Sequence, residues 1–399
     1  MMKRRRKRKT KTIIIVLDGV GAGSAPDSSE YGDLSPNTLG HVLERAAGSG
    51  GFAGLPVLES LGLGNIAPLT GIKAVHNPLA SYGLMRELGA GKDTITGHWE
   101  MMGILNTAPF PTFPEGFPAD IILEFEEITG RKILGNRAAS GTLIIEELGP
   151  EHMKTGSPIV YTSADSVFQI AAHIGVIGLK ELYSICERAR RMLSGPGKNV
   201  CRVIARPFEG TPGSFRRIPS KRKDFPFPPP GETVVDRLAA EGVPVFSVGK
   251  VAEMFDMRGF SAGTVKTSSN RQGMEEIAKK LVKTEGQGLI FANLNDFDTL
   301  YGHRNDPEGF ARALAEFDGL LGELLPLIGA EDCLFITADH GNDPTTGGTD
   351  HSRELVPLLF MGGEKTGRHL GVRHGFMDLG ATVAQIFGVQ CPSGKSFLF

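Results

Sequence analysis

The chain has 399 residues, of which 40% are hydrophobic and 22% charged, a composition typical of a globular protein with a large core. Its formal net charge of -2 excludes an overall electrostatic footprint for nucleic acid or a membrane surface. We expect no membrane span, because no apolar run is long enough, and four widely spaced cysteines without a CxxC pair indicate reduced thiols in the cytosol.

The chain begins with a basic block, MMKRRRKRKTK, at residues 1–11. Runs of like charge repel and stay unfolded, so we expect a disordered, solvated tail. The block lacks the apolar and small-residue regions of a secretory signal. Contact with nucleic acid or anionic lipid is the alternative that such a block leaves open.

Predicted strands and helices alternate along most of the chain. Thr12–Leu17 is a β-branched run typical of a strand buried on both faces, and Thr38–Ala47 is a predicted helix. Beyond Gly231 the pattern predicts helices at 233–241, 271–284, 307–325 and 379–387, and strands at 243–248, 288–294 and 333–337. This alternation predicts an α/β fold with a mostly parallel sheet layered by helices.

Two proline-rich linkers enclose a separate unit. Four prolines lie between Ala108 and Pro118, and DFPFPPPGE occupies 224–232. Between them the pattern predicts helices at 120–129, 144–147 and 179–193 and strands at 158–166 and 200–205. We therefore predict a core in two parts, 12–107 and 225–399, interrupted by an inserted, smaller α/β (α+β) domain at 108–224.

The residues that follow three predicted strands are of metal-ligating types, and ligands in open α/β sheets bind beyond the carboxyl ends of strands. These residues are Asp18 after the first strand, Asp296, Asp298, His303 and Asp306 after LIFANL, and Asp339, His340, Asp343, Asp350 and His351 after LFIT. Mixed Asp/His sets suit Mn²⁺, Zn²⁺ or Fe better than Ca²⁺. The surplus of ligands predicts a two-metal site for phosphoryl transfer. Asp296, Asp306 and Asp343 are more typical of helix caps or turns.

A metal pair needs a group to activate, and the stretch GKDTITGHWEMMG at 91–103 offers threonine hydroxyls at a predicted helix start. A metal can lower the pKa of such a hydroxyl and make it a nucleophile. A plain N-terminal helix cap is the alternative interpretation of this stretch.

These stretches resemble the phosphopentomutase family of the alkaline phosphatase superfamily, over nearly the whole chain after the basic block. The motifs that carry the resemblance are VLDGVGAGSAPD, GKDTITGHWEMMG, GSPIVYTSADSVFQIAAH, RVIARPFEG, SVGKVAEMF, NLNDFDTLYGHRND and TADHGNDPTTGGTDHSRELVPLL. The resemblance implies an alkaline-phosphatase-like core whose metal face is covered by residues 108–224 as a cap, which excludes water.

The resemblance also implies an isomerase that interconverts ribose (or deoxyribose) 1-phosphate and 5-phosphate through a phosphothreonine enzyme and a 1,5-bisphosphate. It implies that Thr94 rather than Thr96 carries the phosphate, that sugar bisphosphate is the activator, and that the partners are small pentose phosphates in the cytoplasm, with no membrane and no specific nucleic acid. The implied ligands of two Mn²⁺ ions are Asp18, Asp298, His303, Asp339, His340 and His351. The implied sugar-phosphate contacts are Ser163, Asp165, Val167, Arg202 and Lys250.

One segment departs from the family pattern. In SKRKDF, at 220–225, Lys223 stands where histidine is usual and one residue is added, which leaves the role of Arg222 open. Two other functions fit the same residues. A metal-dependent phosphatase or a relative of phosphoglycerate mutase is one, although the latter is expected to carry serine in place of Thr94. A non-enzymatic metal- or nucleic-acid-binding module is the other.

Overall fold

The computed structural model describes residues 10–48, 52–163, 166–195, 197–363 and 366–398. Residues 1–9 of the basic block and Asp165 lie outside these ranges, so the predictions made for them stay predictions. The disordered tail was predicted to end at residue 11, but Lys11 already belongs to the first strand. Its backbone pairs with Gly288, and its N–H donates to the Asp332 carboxylate at 2.9 Å.

The chain forms two compact units, the second of which is residues 109–228. The first unit begins with β1 (Lys11–Leu17), α1 (Thr38–Gly48), α2 (Pro56–Leu61), β2 (Ser81–Arg86) and α3 (Thr94–Met101). The second contains α4 (Ala119–Thr129), β3 (Leu134–Ala138), α5 (Gly141–Thr155), β4 (Ile159–Thr162), β5 (Val167–His173), α6 (Leu179–Met192), β6 (Arg202–Glu209), β7 (Arg216–Arg217) and β8 (Lys223–Pro226). The first unit resumes with α7 (Val234–Ala240), β9 (Val245–Val248), α8 (Val251–Met254), β10 (Thr264–Val265), α9 (Asn270–Lys283), β11 (Gly288–Leu294), α10 (Pro307–Leu324), β12 (Cys333–Thr337), β13 (Leu355–Met361), β14 (His369–His374) and α11 (Met377–Phe387). Within the described ranges, no helix is both long and apolar enough to cross a bilayer.

The sheet of the first unit has the strand order β10-β9-β11-β1-β12-β13-β2-β14. Its neighbours pair in parallel except at β13, which is antiparallel to both β12 and β2. In β1 the consecutive side chains Ile13 to Val16 are all buried, so both faces of this strand are covered. The predicted α/β class with a mostly parallel sheet is therefore confirmed.

Three neighbouring strands bring the predicted ligands to one edge of this sheet. Strand β1 lies between β11 and β12 and is parallel to both, with Leu17 opposite Leu294 and Val16 opposite Thr337. Their carboxyl ends therefore lie side by side, although the segments that follow β1 and β12 begin at residues 18 and 338, more than 300 positions apart. The sheet order, rather than local sequence, places Asp18 next to the loops that follow β11 and β12.

The second unit has its own mixed sheet, in the order β3-β4-β5-β6-β7, with β8 paired to β6. Helices α4 and α6 cover one face through a core that includes Phe125, Ile185 and Ile170. Helix α5 covers the other face through Ile144 and Ala171. Adjacent β5 residues thus enter opposite cores, as the alternation of side chains along a strand requires.

Two predictions inside this unit are wrong in detail. The strand predicted over 158–166 ends at Thr162, and a separate antiparallel strand, β5, begins at Val167. Because β5 is buried on both faces, it lacks the alternation that identifies a half-exposed strand. The helix predicted over 144–147 is too short, since α5 runs through Pro150 and ends only where Gly156 adopts a left-handed conformation at φ 72°.

We expect the substitution Phe168→Ala to destabilise the second unit by about 3–5 kcal/mol, the usual cost of a cavity left by phenylalanine. Phe168 is fully buried, with the rings of Phe117 and Phe125 centred 4.6 and 5.1 Å away. Native-state hydrogen exchange of β5 peptides measures the loss. Leu123→Ala is the control, because Leu123 is 56% exposed on α4. Equal protection in the two variants would contradict the assigned core.

Candidate metal centre

Six carboxylate and imidazole side chains meet at the carboxyl edge of the first unit's sheet. They form two groups, and within each group the three ligand atoms lie within 4.8 Å of one another. We call these the β1/β12 cluster and the β11 cluster, after the strands that carry most of their members. The β1/β12 cluster is Asp18, Asp339 and His340, and the β11 cluster is Asp298, His303 and His351.

The Nε2 atoms of the three histidines face the carboxylates. His340 Nε2 lies 3.3 Å from Asp18 and 3.6 Å from Asp339. In the β11 cluster, the Nε2 atoms of His303 and His351 lie 3.2 and 3.3 Å from the Asp298 carboxylate. The two clusters adjoin, because the rings of His340 and His351 stack with centroids 3.8 Å apart.

The other ring nitrogen of each histidine is committed to the backbone. Nδ1 of His303, His340 and His351 lies 2.7, 3.1 and 2.7 Å from the carbonyl oxygens of Thr349, Gly341 and Lys92 respectively. A carbonyl oxygen can only accept, so Nδ1 carries the proton and donates it. The lone pair of each neutral ring is then on Nε2, which is the arrangement that orients metal-binding histidines.

The balance of charge in the centre favours a bound cation. Burial, together with the nearby carboxylates Asp339 and Asp298, raises the pKa of Asp18. Burial also disfavours the charged forms of His340 and Asp298. The carboxylates nevertheless raise the pKa of His340 well above its usual value, and the histidines hold the pKa of Asp298 well below its own. The centre therefore stabilises positive charge strongly.

Two buried oxygen atoms support the fit of a metal directly. Asp18 Oδ1 and Asp339 Oδ2 are shielded from solvent and make no hydrogen bond. A buried carboxylate oxygen without a hydrogen bond is costly unless a cation pairs with it. With oxygen and imidazole donors together, the set matches Mn²⁺, Zn²⁺ or Fe rather than Ca²⁺.

The loop after β11 is shaped to direct its two ligands. Asp298 lies in a single π-helical turn, Phe297–Tyr301, and His303 in a 3₁₀ turn, Gly302–Arg304. The second turn ends at Asn305, which has a left-handed φ of 52°. Single π turns are frequent at functional sites because they re-aim side chains.

Gly19 permits the close approach of β1 to this loop. Its φ of 78° is left-handed, and a Cβ atom there would lie 3.1 Å from the Asn342 side chain and 3.4 Å from Asp298. Its backbone N–H also donates to Asp339 Oδ1 at 3.2 Å. A side chain at this position would therefore strain the backbone and crowd Asn342 and Asp298.

Thr94 lies at the start of α3 with its hydroxyl facing the β1/β12 cluster. Thr94 Oγ1 is 3.1 Å from His340 Nε2. The helix cap is Asp93, whose carboxylate accepts from the backbone N–H groups of Ile95 and Thr96 and from the Thr96 hydroxyl, at 3.0, 3.0 and 2.7 Å. A threonine cap is therefore the wrong interpretation of this stretch, and the Thr96 hydroxyl is occupied by the cap.

Several residues that contact the ligands were not predicted from the sequence. The Asn342 amide donates to Asp298 at 2.6 Å, and the Asn293 amide donates to Asp18 at 3.1 Å. His98 is fully buried, with Nδ1 2.8 Å from the Thr94 carbonyl and 3.4 Å from Asp339. Two signals were available: a polar Asn293 inside an apolar strand, and the i, i+4 spacing that puts His98 on the helix face of Thr94.

Two of the possible ligands in the β12 loop have other contacts. The buried Asp343 carboxylate accepts from the Asn37 N–H at 3.0 Å and lies 2.6 Å from His41 Nδ1. Asp350 is largely exposed and lies 3.5 Å from Lys92 Nζ. Both carboxylates therefore serve to fix loops.

The residues predicted to contact the sugar phosphate lie in both units. Ser163 follows β4, and Val167 and Arg202 begin β5 and β6, where they are paired in register. Since β4 is antiparallel to β5, these three positions share one edge of the second unit's sheet. Lys250 follows β9 in the first unit, with Nζ 2.7 Å from Asn295 Oδ1.

Almost the whole length of the chain is similar in sequence to a family of metalloenzymes and to named enzymes. Residues 10–391 match a family model described as the metalloenzyme superfamily. The chain is 52% identical over 385 residues to a phosphopentomutase of Caldanaerobacter subterraneus, covering 96% of each chain. The chain belongs to the phosphopentomutase family. Members of this family are isomerases, and the chain is accordingly an isomerase of the metalloenzyme superfamily.

A further sequence relative agrees with this membership. The chain is 50% identical over 384 residues to a phosphopentomutase of Thermotoga maritima, covering 96% of this chain and 97% of the relative. Among solved structures, a Pyrococcus horikoshii protein aligns over 98% of this chain and 99% of its own, with a TM-score of 0.49 and 16% identity. The assignment of the chain to the phosphopentomutase family rests on the sequence relatives.

The segment that departs from the phosphopentomutase pattern has defined contacts in the second unit. Arg222 donates two hydrogen bonds to Asp224, at 2.7 and 2.6 Å. Lys223 Nζ lies over the rings of Tyr183 and Phe225, 5.3 and 4.7 Å from their centroids. Lys223 therefore makes cation–π contacts with both rings.

Proposed function

We propose that the chain interconverts ribose or deoxyribose 1-phosphate and 5-phosphate through a phosphothreonine at Thr94, next to two divalent metal ions. One observation carries the proposal: the Thr94 hydroxyl lies 3.1 Å from His340, where the two three-residue clusters adjoin. A hydroxyl at the meeting point of two metal sites suits a phosphoryl acceptor. The family membership supplies the substrate class.

In this proposal Asp18, Asp339 and His340 hold one ion, and Asp298, His303 and His351 hold the other. When bound, the ions lower the pKa of the Thr94 hydroxyl and neutralise charge on the transferring phosphoryl group. Mn²⁺ is the ion we assign, because the resemblance to the phosphopentomutase family implies it, and the mixed oxygen and imidazole donors suit it as they suit Zn²⁺ or Fe. Asn342 and Asn293 hold the Asp298 and Asp18 carboxylates in orientation.

Helix α3 contributes to phosphate binding through its N-terminus. Thr94 is the first residue of this helix, so a phosphate on its hydroxyl lies near the positive end of the helix dipole. Asp93 fixes the backbone there by accepting from the next two amides. The chain thus presents the phosphate carrier on a rigid element rather than on a free loop.

The reaction balances as two transfers between oxygen atoms. First, the free hydroxyl of a pentose monophosphate attacks the phosphorus on Thr94, so the bond to Thr94 Oγ1 breaks while the bond to the sugar oxygen forms. The sugar hydroxyl loses its proton, and Thr94 regains one. The other phosphate of the resulting 1,5-bisphosphate then returns to Thr94 in the reverse sense. Free sugar bisphosphate phosphorylates enzyme that has lost its phosphate, which makes it the activator.

The proposal also assigns the sugar phosphate a set of contacts and a location. Arg202 and Lys250 are cations suited to the phosphate that is not being transferred. The remaining assigned residues, on the sugar side, are Ser163, Asp165 and Val167. We assign the reaction to the cytoplasm, where buried reduced thiols such as Cys186 persist.

Incubation of the Mn²⁺-loaded protein with ribose 1-phosphate and a trace of ribose 1,5-bisphosphate tests the proposed reaction. We expect ribose 5-phosphate to accumulate while inorganic phosphate stays at background, both followed by ³¹P NMR. Protein treated with a chelator is the matched control and should convert nothing. Stoichiometric release of inorganic phosphate without ribose 5-phosphate would replace the mutase with a phosphatase.

A further inference from the structure

The loop that leads from β2 to Thr94 is fixed by the side chain of Arg353. Its guanidinium donates to the carbonyl oxygens of Glu87, Gly89 and Gly91, at 2.8, 2.9 and 2.6 Å. These carbonyls alternate along the loop, so one planar side chain holds it over five consecutive residues. Arginine is suited to this because it presents five donors in a rigid fork.

The Arg353 side chain is only 2% exposed, which makes its burial costly unless its charge is balanced. Glu87 and Asp27 lie 2.8 and 3.0 Å from the guanidinium, and the Tyr31 ring stacks over it at 4.7 Å. The guanidinium therefore has balanced charge as well as directed hydrogen bonds. None of these partners belongs to the two clusters.

A second buried charge holds the same loop from α3. The Glu100 carboxylate accepts from the N–H groups of Leu88 and Gly89, at 3.0 and 2.7 Å. It also accepts from Phe376, at 2.8 Å. Within residues 87–91, three carbonyls are therefore bound by a cation and two amides by an anion.

This arrangement joins the loop to the metal-binding histidine that precedes Arg353. His351 stands two positions earlier, and its Nδ1 donates to the carbonyl of Lys92 in the same loop. The segment 351–353 thus contacts the loop from Glu87 to Lys92, two residues before Thr94, and it also contains the metal ligand His351. We propose that Arg353 is a positioning residue that sets the Thr94 hydroxyl against the two clusters. This inference rests on the proposed role of Thr94.

The substitution Arg353→Lys tests the inference, because it keeps the charge but cannot reach three carbonyls. We expect the rate at which ribose 1,5-bisphosphate phosphorylates Thr94 to fall about 100-fold, as small displacements of a reacting group do. Rapid quenching and intact-mass measurement of the Mn²⁺-loaded protein give that rate. Metal content and the KM for ribose 5-phosphate should stay near the wild-type values, because no ligand is changed.

Arg373→Lys is the matched control. Arg373 also binds a carboxylate, Asp378, and a backbone carbonyl, Lys395, and its guanidinium lies 5.8 Å from the Phe397 ring. It should lower the melting temperature comparably without slowing phosphorylation. Glu100→Gln is a second variant that loosens the loop from its other side, and it should slow phosphorylation even if Arg353→Lys does not fold.

The outcomes separate this inference from the proposed function. Wild-type phosphorylation rates in both Arg353→Lys and Glu100→Gln, with only a lower melting temperature, would overturn the positioning role. Loss of a metal ion in Arg353→Lys would also overturn it, since the residue would then act through His351. If the wild-type protein gains no phosphate on Thr94 at all, the proposed function fails, and the positioning role fails with it.

Discussion

Replacement of Thr94 by alanine is expected to lower turnover by at least about 10⁴-fold, the scale seen when a covalent nucleophile is removed. The hydroxyl lies 3.1 Å from His340 Nε2, and alanine leaves no atom there to carry phosphate. Intact mass after incubation with ribose 1,5-bisphosphate should show one phosphate on the wild-type protein and none on Thr94→Ala.

Thr96→Ala is the control for this experiment, because Thr96 lies two residues further along α3 and its hydroxyl donates to the capping residue Asp93. That hydroxyl donates to Asp93 at 2.7 Å, so its loss weakens the start of α3 by about 1 kcal/mol. Turnover should fall by no more than about tenfold, which corresponds to about 1.4 kcal/mol. A phosphate that persists in Thr94→Ala and disappears in Thr96→Ala would reassign the nucleophile.

The sequence predicted the elements that carry the centre better than it predicted their surroundings. Strands Gly288–Leu294 and Cys333–Thr337 have the predicted bounds, because each is a mostly apolar run followed by polar residues. Burial on both faces leaves little choice of structure for such runs. Burial on both faces also made the separate strand β5 hard to predict, because its run Val167–His173 contains neither a turn signal nor an alternating pattern.

The convergence of the ligands follows from the strand order, which single-segment patterns do not contain. Asp18 and Asp339 become neighbours only because β1 and β12 pair in parallel. Residue types at strand ends predict that a site exists at the carboxyl edge of the sheet. The resemblance to a known family, rather than any periodicity, selected Thr94 from the two threonines of α3.

Residues that orient the ligands were harder to predict, because their role depends on contacts between distant segments. Asn293 and Asn342 each donate to a carboxylate on another strand or loop. Arg353, which contacts the loop before Thr94, is the clearest case of such distant contacts, since its partners Glu87 and Asp27 are 266 and 326 positions away. A buried arginine carries no sequence signal of burial, so only the packed structure identifies it.

Loss of a single carboxylate ligand is expected to remove one ion and leave the other. In Asp298→Asn the β11 cluster loses its only carboxylate, while Asp18 and Asp339 still serve the β1/β12 cluster. Metal analysis should find one Mn²⁺ per chain in place of two. Turnover should fall by about 10³-fold, since a metal ion contributes several kcal/mol to stabilising a phosphoryl transition state.

Asp343→Asn is the control that distinguishes a ligand from any buried carboxylate in the β12 loop. Asp343 is as buried as Asp298, but it accepts hydrogen bonds from Asn37 and Thr345. Its substitution should cost stability and leave the metal content unchanged. Loss of an ion from Asp343→Asn, or retention of both in Asp298→Asn, would mean that the ligand set is wrong. Chelation should remove both ions and lower the free energy of unfolding by about twice the loss expected for one vacant site. The reason is that each ion at about 100 times its Kd stabilises the folded chain by about 2.7 kcal/mol.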